Sequence, residues 1–122
     1  MNNRPVNLDL RTIKMPITAI LSILHRISGV IIFLGMPILL WMFGKSLASA
    51  AEFQSLLSLL DNIFLKIIFL GILTALGYHV IAGIKHLIMD RGIGETLEGA
   101  KVAGRLVMIA TLILVIFMGS LL

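Results

Sequence analysis

No cysteine occurs among the 122 residues. Thiolate-held iron–sulfur clusters, thiol nucleophiles and disulfides are therefore excluded for this chain. Charge is scarce: charged residues make up 13 % of the chain, against roughly a quarter in a soluble domain. A single tryptophan, a single tyrosine and three prolines accompany a composition that is 59 % apolar, with a mean hydropathy of +1.10. The first 15 residues are polar and basic and hold no apolar core of the kind that marks a cleavable signal. No presequence rich in Arg and Ser is evident, so a bacterial inner membrane is the expected location.

The ten basic residues are Arg4, Arg11, Lys14, Arg26, Lys45, Lys66, Lys85, Arg91, Lys101 and Arg105. They leave three uncharged runs, Ile27–Gly44, Ile67–Ile84 and Leu106–Leu122, of 18, 18 and 17 residues. At ~1.5 Å per residue each is about 26 Å long, and flanking residues complete a hydrocarbon core of ~30 Å. The expected fold is an all-α membrane protein, one domain over 1–122 with three transmembrane helices. Helix I is expected over about 16–43, helix II over 63–89 and helix III over 102–122. Pro16 suits a first helical turn, and Pro37 should bend helix I. The segment 44–62 reads as a loop with a short interfacial helix, and Asp61 or Asn62 should cap helix II.

The net charge of +4 does not point to nucleic acid, because the cations flank apolar segments and form no stripe. They serve as topology signals. The N-terminal lead-in and the second loop with its edges hold seven Lys and Arg residues, and the first loop with its edges holds two, Lys45 and Lys66. The N-terminus is therefore expected in the cytoplasm.

Arg26 is the one basic residue well inside a helix. It lies ten residues beyond Pro16, ~15 Å in. Ser22, His25, Arg26 and Gly29 fall at i, i+3, i+4 and i+7 and share a face. Helix II carries a stripe of small residues and imidazoles: Gly71, Ala75, His79, Ala82, Gly83 and His86, ending at Asp90. His79 lies eleven residues from Asp90, ~16 Å, so Arg26 and His79 should share a depth. A mid-helix charge costs at least ~2.5–3.5 kcal/mol. Arg26 either snorkels to headgroups or meets an anion, and that anion must come from a ligand or another subunit, because no acid lies inside the three runs.

His79 reads either as a helix–helix hydrogen-bonding residue or as a ligand. The small residues one turn away, Ala75, Ala82 and Gly83, leave room for a flat macrocycle, but they also suit close helix packing. If His79 ligates haem iron, His86 is excluded as the second axial ligand. Seven residues along one helix is ~10.5 Å, and both rings leave one face. His25 and a partner chain both remain open. Zinc is disfavoured, because no carboxylate or cysteine completes a tetrahedral set at that depth.

From Arg4 to Gly29, "RPVNLDL…PITAILSILHRISG" resembles the cytochrome b556 subunit family of succinate dehydrogenases: Arg4-Pro5, Ser22, His25-Arg26 and Ser28 match its first signature. "HVIAGIKHLIMDRG" is similar to its second, through His79, Gly83, Ile84, His86 and Asp90. Lys85 departs from it, since Arg is usual there. "ILTALGYH" also looks like the family, and the likeness covers nearly the whole chain.

The resemblance implies an anchor of succinate:quinone oxidoreductase that passes electrons from an iron–sulfur subunit to ubiquinone. Succinate oxidation would occur on a separate flavoprotein subunit, since this chain has no flavin motif. The resemblance further implies that His79 is an axial ligand of haem b, with the other axial His supplied by a second three-helix membrane anchor. It implies His25 and Arg26 at the haem propionates, and Ser22 and Arg26 at the ubiquinone site. Asp90 reads as a helix-end acid or as an aid to proton entry. The competing readings are a fumarate reductase anchor, a cytochrome b ligated by His25 and His79 on one chain, a small transporter using Arg26 and the histidines, and a structural anchor without cofactor.

Overall fold

A computed structural model describes Val6, Leu8, Asp9 and residues 11–122; the Arg4-Pro5 opening lies outside the described residues. Among the described residues four α-helices follow one another: α1 (Ile17–Ala48), α2 (Ala50–Leu59), α3 (Ile63–Asp90) and α4 (Leu97–Leu121). There is no strand among the described residues. Three of the four, α1, α3 and α4, are long and apolar enough to cross a membrane. Helix α3 is central. It packs along both α1 and α4, while α1 and α4 touch less, and α2 leans on the end of α1.

The helix ends follow from local chemistry. Pro16 precedes α1 in an extended conformation, and its carbonyl accepts from Ala19 N at 3.0 Å and Ile20 N at 3.2 Å. Helix α1 continues through Pro37 to Ala48, beyond the expected end at 43. At 32 residues it is about 48 Å long, well over the ~30 Å hydrocarbon core. Its far end therefore carries Trp41 and Lys45 out toward the interface, where Lys45 pairs with Glu52 of α2. Ser49 caps α2 by accepting from Glu52 N at 3.1 Å, the first half of a capping box. The short helix expected in the first loop is thus present as α2. Leu56 is its buried residue, while Leu47 belongs to α1.

Asn62, of the two candidate caps, is the one that opens α3. Its side chain accepts from Phe64 N at 3.0 Å and Leu65 N at 3.3 Å. Helix α3 ends in a Schellman motif: Ile93 N donates to Ile88 O at 3.4 Å and Gly92 N to Met89 O at 2.9 Å. The motif needs a left-handed residue after the helix, and Gly92 supplies it with φ 82°. Helix α4 begins at Leu97, five residues before the expected 102. Thr96 accepts from Gly99 N at 3.1 Å and Glu98 sits in the first turn, where an acid favours the helix dipole. The glycines of "GIGETLEG" suggested a loop, but Thr96 as cap outweighs Gly99 within the first turn.

Most large apolar side chains point outward; Phe33 is 78 % exposed and Ile116 63 %. In water that surface would be a liability. In lipid it is the ordinary outside of a bundle, and helix contacts rest on close packing. The core is accordingly small: Leu21, Tyr78, Ala82 and Val107, with Ile17 and Ile81 against it. Glycines permit the approach. A Cβ on Gly104 would lie 2.5 Å from Leu21 Cδ1, and one on Gly35 would lie 2.8 Å from Ile72 Cγ2. A Cβ on Gly119 would meet nothing within 4 Å. Gly104→Val should therefore cost about 1–3 kcal/mol in detergent unfolding, whereas Gly119→Val should leave the midpoint unchanged.

Candidate functional site

The contact between α1 and α3 gathers the imidazoles. His25 of α1 and His79 of α3 stack with ring centroids 4.0 Å apart and planes 9° from parallel. His86, two turns along α3, meets His25 edge-on at 5.3 Å and 62°. The two helices run antiparallel, so residue 25 counted from one end and residue 79 counted from the other arrive at one level. Arg26 is next in the chain. The shared depth deduced from helix counting is present in the fold.

The ring of His79 is held by main chain. Its Nδ1 lies 3.1 Å from the carbonyl oxygen of His25 and 3.0 Å from Ser28 Oγ. The Ser28 hydroxyl itself donates to that same carbonyl at 2.7 Å. A carbonyl oxygen only accepts, so the contact at 3.1 Å requires the proton on Nδ1 of His79. In the neutral ring Nε2 then carries the free lone pair. Gly29 makes room for this arrangement: a Cβ there would stand 3.2 Å from His79 Cε1. One turn deeper in the core, Tyr78 donates its hydroxyl to Leu21 O at 2.8 Å, a second tie from α3 to the α1 main chain.

The three histidines line one side of a groove of about 660 Å³, shared with Gly83 and Asp90. This is within the range of small-molecule and cofactor sites. His25 Nε2 is buried there and has no hydrogen-bond partner. A buried polar atom without a partner costs about 1–3 kcal/mol, so it marks a place where a polar group from outside the chain would be welcome. Ser22 is half-buried and Arg26 is exposed, and neither lines this groove. Neither makes a hydrogen bond or ion pair within the chain among the described residues. Asp90 closes α3 at the groove's end.

No three His, Asp or Glu side chains converge as metal ligands among the described residues. What the chain can offer a metal at His79 is one imidazole. Sequence reasoning named Ser28 and Tyr78 only as parts of family-like stretches and gave neither a role in this cluster. Ser28 follows His25 by three residues and therefore reaches back to its carbonyl, a spacing visible in the sequence. Tyr78 gives no such signal, because which carbonyl its hydroxyl reaches depends on the packing of two helices.

A family model described as succinate dehydrogenase/fumarate reductase transmembrane subunit matches residues 1–118. A Coxiella burnetii protein named succinate dehydrogenase cytochrome b556 subunit is 39 % identical over 117 residues, covering 95 % of this chain and 94 % of that one. Proteins of the same name from Paracoccus denitrificans and Rickettsia bellii are 32 % and 34 % identical, covering 94 % and 96 % of this chain and 92 % and 91 % of their own lengths.

The ring assignment at His79 has a direct check. In 15N spectra of the ring-labelled protein, neutral His79 should carry its proton on Nδ1, and Ser28→Ala should leave that proton in place on the His25 carbonyl. A proton on Nε2 would contradict the hydrogen bond.

Proposed function

This chain belongs to the succinate dehydrogenase/fumarate reductase transmembrane subunit family, and we propose that it serves as the haem b- and ubiquinone-binding anchor of a bacterial succinate:quinone oxidoreductase. The observation that carries the reading is the hydrogen bond from His79 Nδ1–H to the His25 carbonyl. An imidazole that ligates a metal through one nitrogen commonly donates the other N–H to a carbonyl, which fixes its tautomer and orientation.

The residues fit haem b with a partner better than haem b held by this chain alone. Two histidines of one chain that held the same haem iron would each have to aim a ring nitrogen at it from opposite faces of the macrocycle. His25 and His79 instead lie face to face at 4.0 Å, which leaves no room for a macrocycle between them. The groove is lined by α1 and α3 with no residue of α4, which leaves a second anchor subunit room to supply its own histidine. His79 would then be the axial ligand from this chain. His25 would donate from its partnerless Nε2 to a propionate, and Arg26 would pair with the same carboxylate charge. When bound, haem b supplies a one-electron iron couple inside the bilayer.

Ser22 and Arg26 are read as the ubiquinone site. A quinone takes up two electrons and two protons, and its carbonyl oxygens gain negative charge as the electrons arrive. The Ser22 hydroxyl and the Arg26 guanidinium, both without partners among the described residues, can donate to such an oxygen in a low-dielectric pocket. Arg remains protonated there, as a fixed cation must. The iron–sulfur and flavoprotein subunits would lie at the cytoplasmic face, where electrons enter. Succinate oxidation belongs to the flavoprotein, because nothing in this chain performs it. A fumarate reductase anchor would use the same residues in the reverse direction, and the relatives named above favour the succinate dehydrogenase.

The purified membrane complex should show a b-type absorption band. His79→Leu should abolish it, and Ser28→Ala should weaken haem retention by about tenfold. His25→Ala should keep the band; its loss would establish ligation by one chain instead. Arg26→Leu should slow quinone reduction by about 100-fold or more while assembly is retained. Normal quinone kinetics with poor assembly would remove Arg26 from the site. Orientation has its own check: reporter fusions within 44–62 should report the periplasm, and fusions within 91–96 the cytoplasm.

A further inference from the structure

Lys85 stands apart from the imidazole groove. It follows His79 by six residues, which on α3 turns it about 120° away from that face. There it lies against α4 and is only 8 % exposed. It makes no hydrogen bond and no ion pair among the described residues. A lysine that merely snorkels keeps its ammonium in the headgroup layer, free of its own helices. The Lys85 residue is instead packed between α3 and α4, partway along a second groove of about 340 Å³, with its Nζ not among the fully buried polar atoms.

That groove lies between α3 and α4, and every other residue lining it is apolar or glycine. Ile81 and Ile84 form its α3 side and Leu106 and Ala110 its α4 side. Ile93 of the Schellman motif and Gly94 after it line its outer end. None of the acids at this end of the bundle, Asp90, Glu95 and Glu98, lines it. Glu98 is turned toward Lys101 at 3.9 Å. Lys85 is five residues from the end of α3, ~7.5 Å along the axis, which brings its ammonium within reach of the phosphate level. One cation therefore sits partway along an apolar trough, with Ile88, Met89, Ile93 and Gly94 on its headgroup side and Ile81 and Ala110 toward mid-membrane. Arg91, Lys101 and Arg105 lie in sequence around the same corner and add to the positive field.

The geometry points to a binding site for an anionic phospholipid, its phosphate on Lys85 Nζ and one acyl chain along Ile81, Leu106 and Ala110. The match is of charge and shape together. A phosphate supplies the missing counter-charge, and a hydrocarbon chain fills a trough that offers no other polar group. A partner subunit's carboxylate could also answer the charge, but it would need a helix to fill the trough as well. The inference requires only that the chain is embedded in a membrane, and it is independent of haem and quinone.

The test uses the whole complex in nanodiscs doped with photoactivatable phosphatidylglycerol or phosphatidylcholine, with labelled peptides identified by mass spectrometry. Phosphatidylglycerol should label the 81–110 region about fivefold more than phosphatidylcholine. Lys85→Arg should keep that preference and Lys85→Met should abolish it, with the haem band unchanged in both. Should Lys85→Met fail to assemble, competition by unlabelled phosphatidylglycerol against the wild-type complex carries the test. Equal labelling by the two lipids overturns the inference, as does a preference that survives Lys85→Met. Absence of labelling at this corner, with carbodiimide linking Lys85 to another subunit's carboxylate, overturns it too.

Discussion

In hydrocarbon a ring N–H has no water to turn to, and the Nδ1–H of His79 turns to the main-chain carbonyl of His25. Such interhelical hydrogen bonds contribute little to stability, about 0.6 kcal/mol on average in membrane proteins. The value of this one lies in direction. It fixes which nitrogen bears the proton, which way the other nitrogen points, and how α1 and α3 are aligned along their length. A side-chain acceptor could have swung away. A helical carbonyl cannot, so the imidazole inherits the rigidity of α1.

Everything around that bond serves the close approach it needs. Gly29 leaves the space that His79 Cε1 fills, Ser28 lends its hydroxyl to the same carbonyl, and Tyr78 ties α3 to α1 again at Leu21. Between α1 and α4, Gly104 lets Leu21 sink into the contact. Small residues act here as they do throughout membrane helices, giving backbones room where lipid offers no hydrophobic drive to bring them together.

Much of this was legible in the chain. Charge gaps gave the three crossing segments, and counting inward from Pro16 and Asp90 put residues 26 and 79 at one level. The count succeeded because both anchors are true helix boundaries. The start of α4 was not legible, because glycines at 92, 94 and 99 obscured a one-residue cap at Thr96. The face-to-face stack of His25 on His79 was not legible either. Periodicity assigns a residue to a face, but whether two rings meet by edge, face or nitrogen depends on the rotation of each helix about its own axis. That rotation is set by Leu21, Tyr78 and Val107 in the core, residues that carry no motif.

The polar atoms left without partners say most about what lies outside the chain. A membrane protein has few ways to leave a polar group unanswered, since each one buried in a dry interior costs on the order of 1–3 kcal/mol. Among the described residues His25 Nε2, the Arg26 guanidinium and the Lys85 ammonium have no partner, and of the three only His25 Nε2 is fully buried, while Lys45, Lys101 and Tyr78 have found partners at home. The unanswered three are divided between two faces of the bundle. His25 and Arg26 belong to the α1–α3 side, beside the histidine whose Nδ1 is held by a carbonyl. Lys85 belongs to the α3–α4 side, where the surroundings are bare hydrocarbon. Two different surroundings fit the two guests proposed above, a second redox subunit on the imidazole face and an anionic lipid on the face of Lys85.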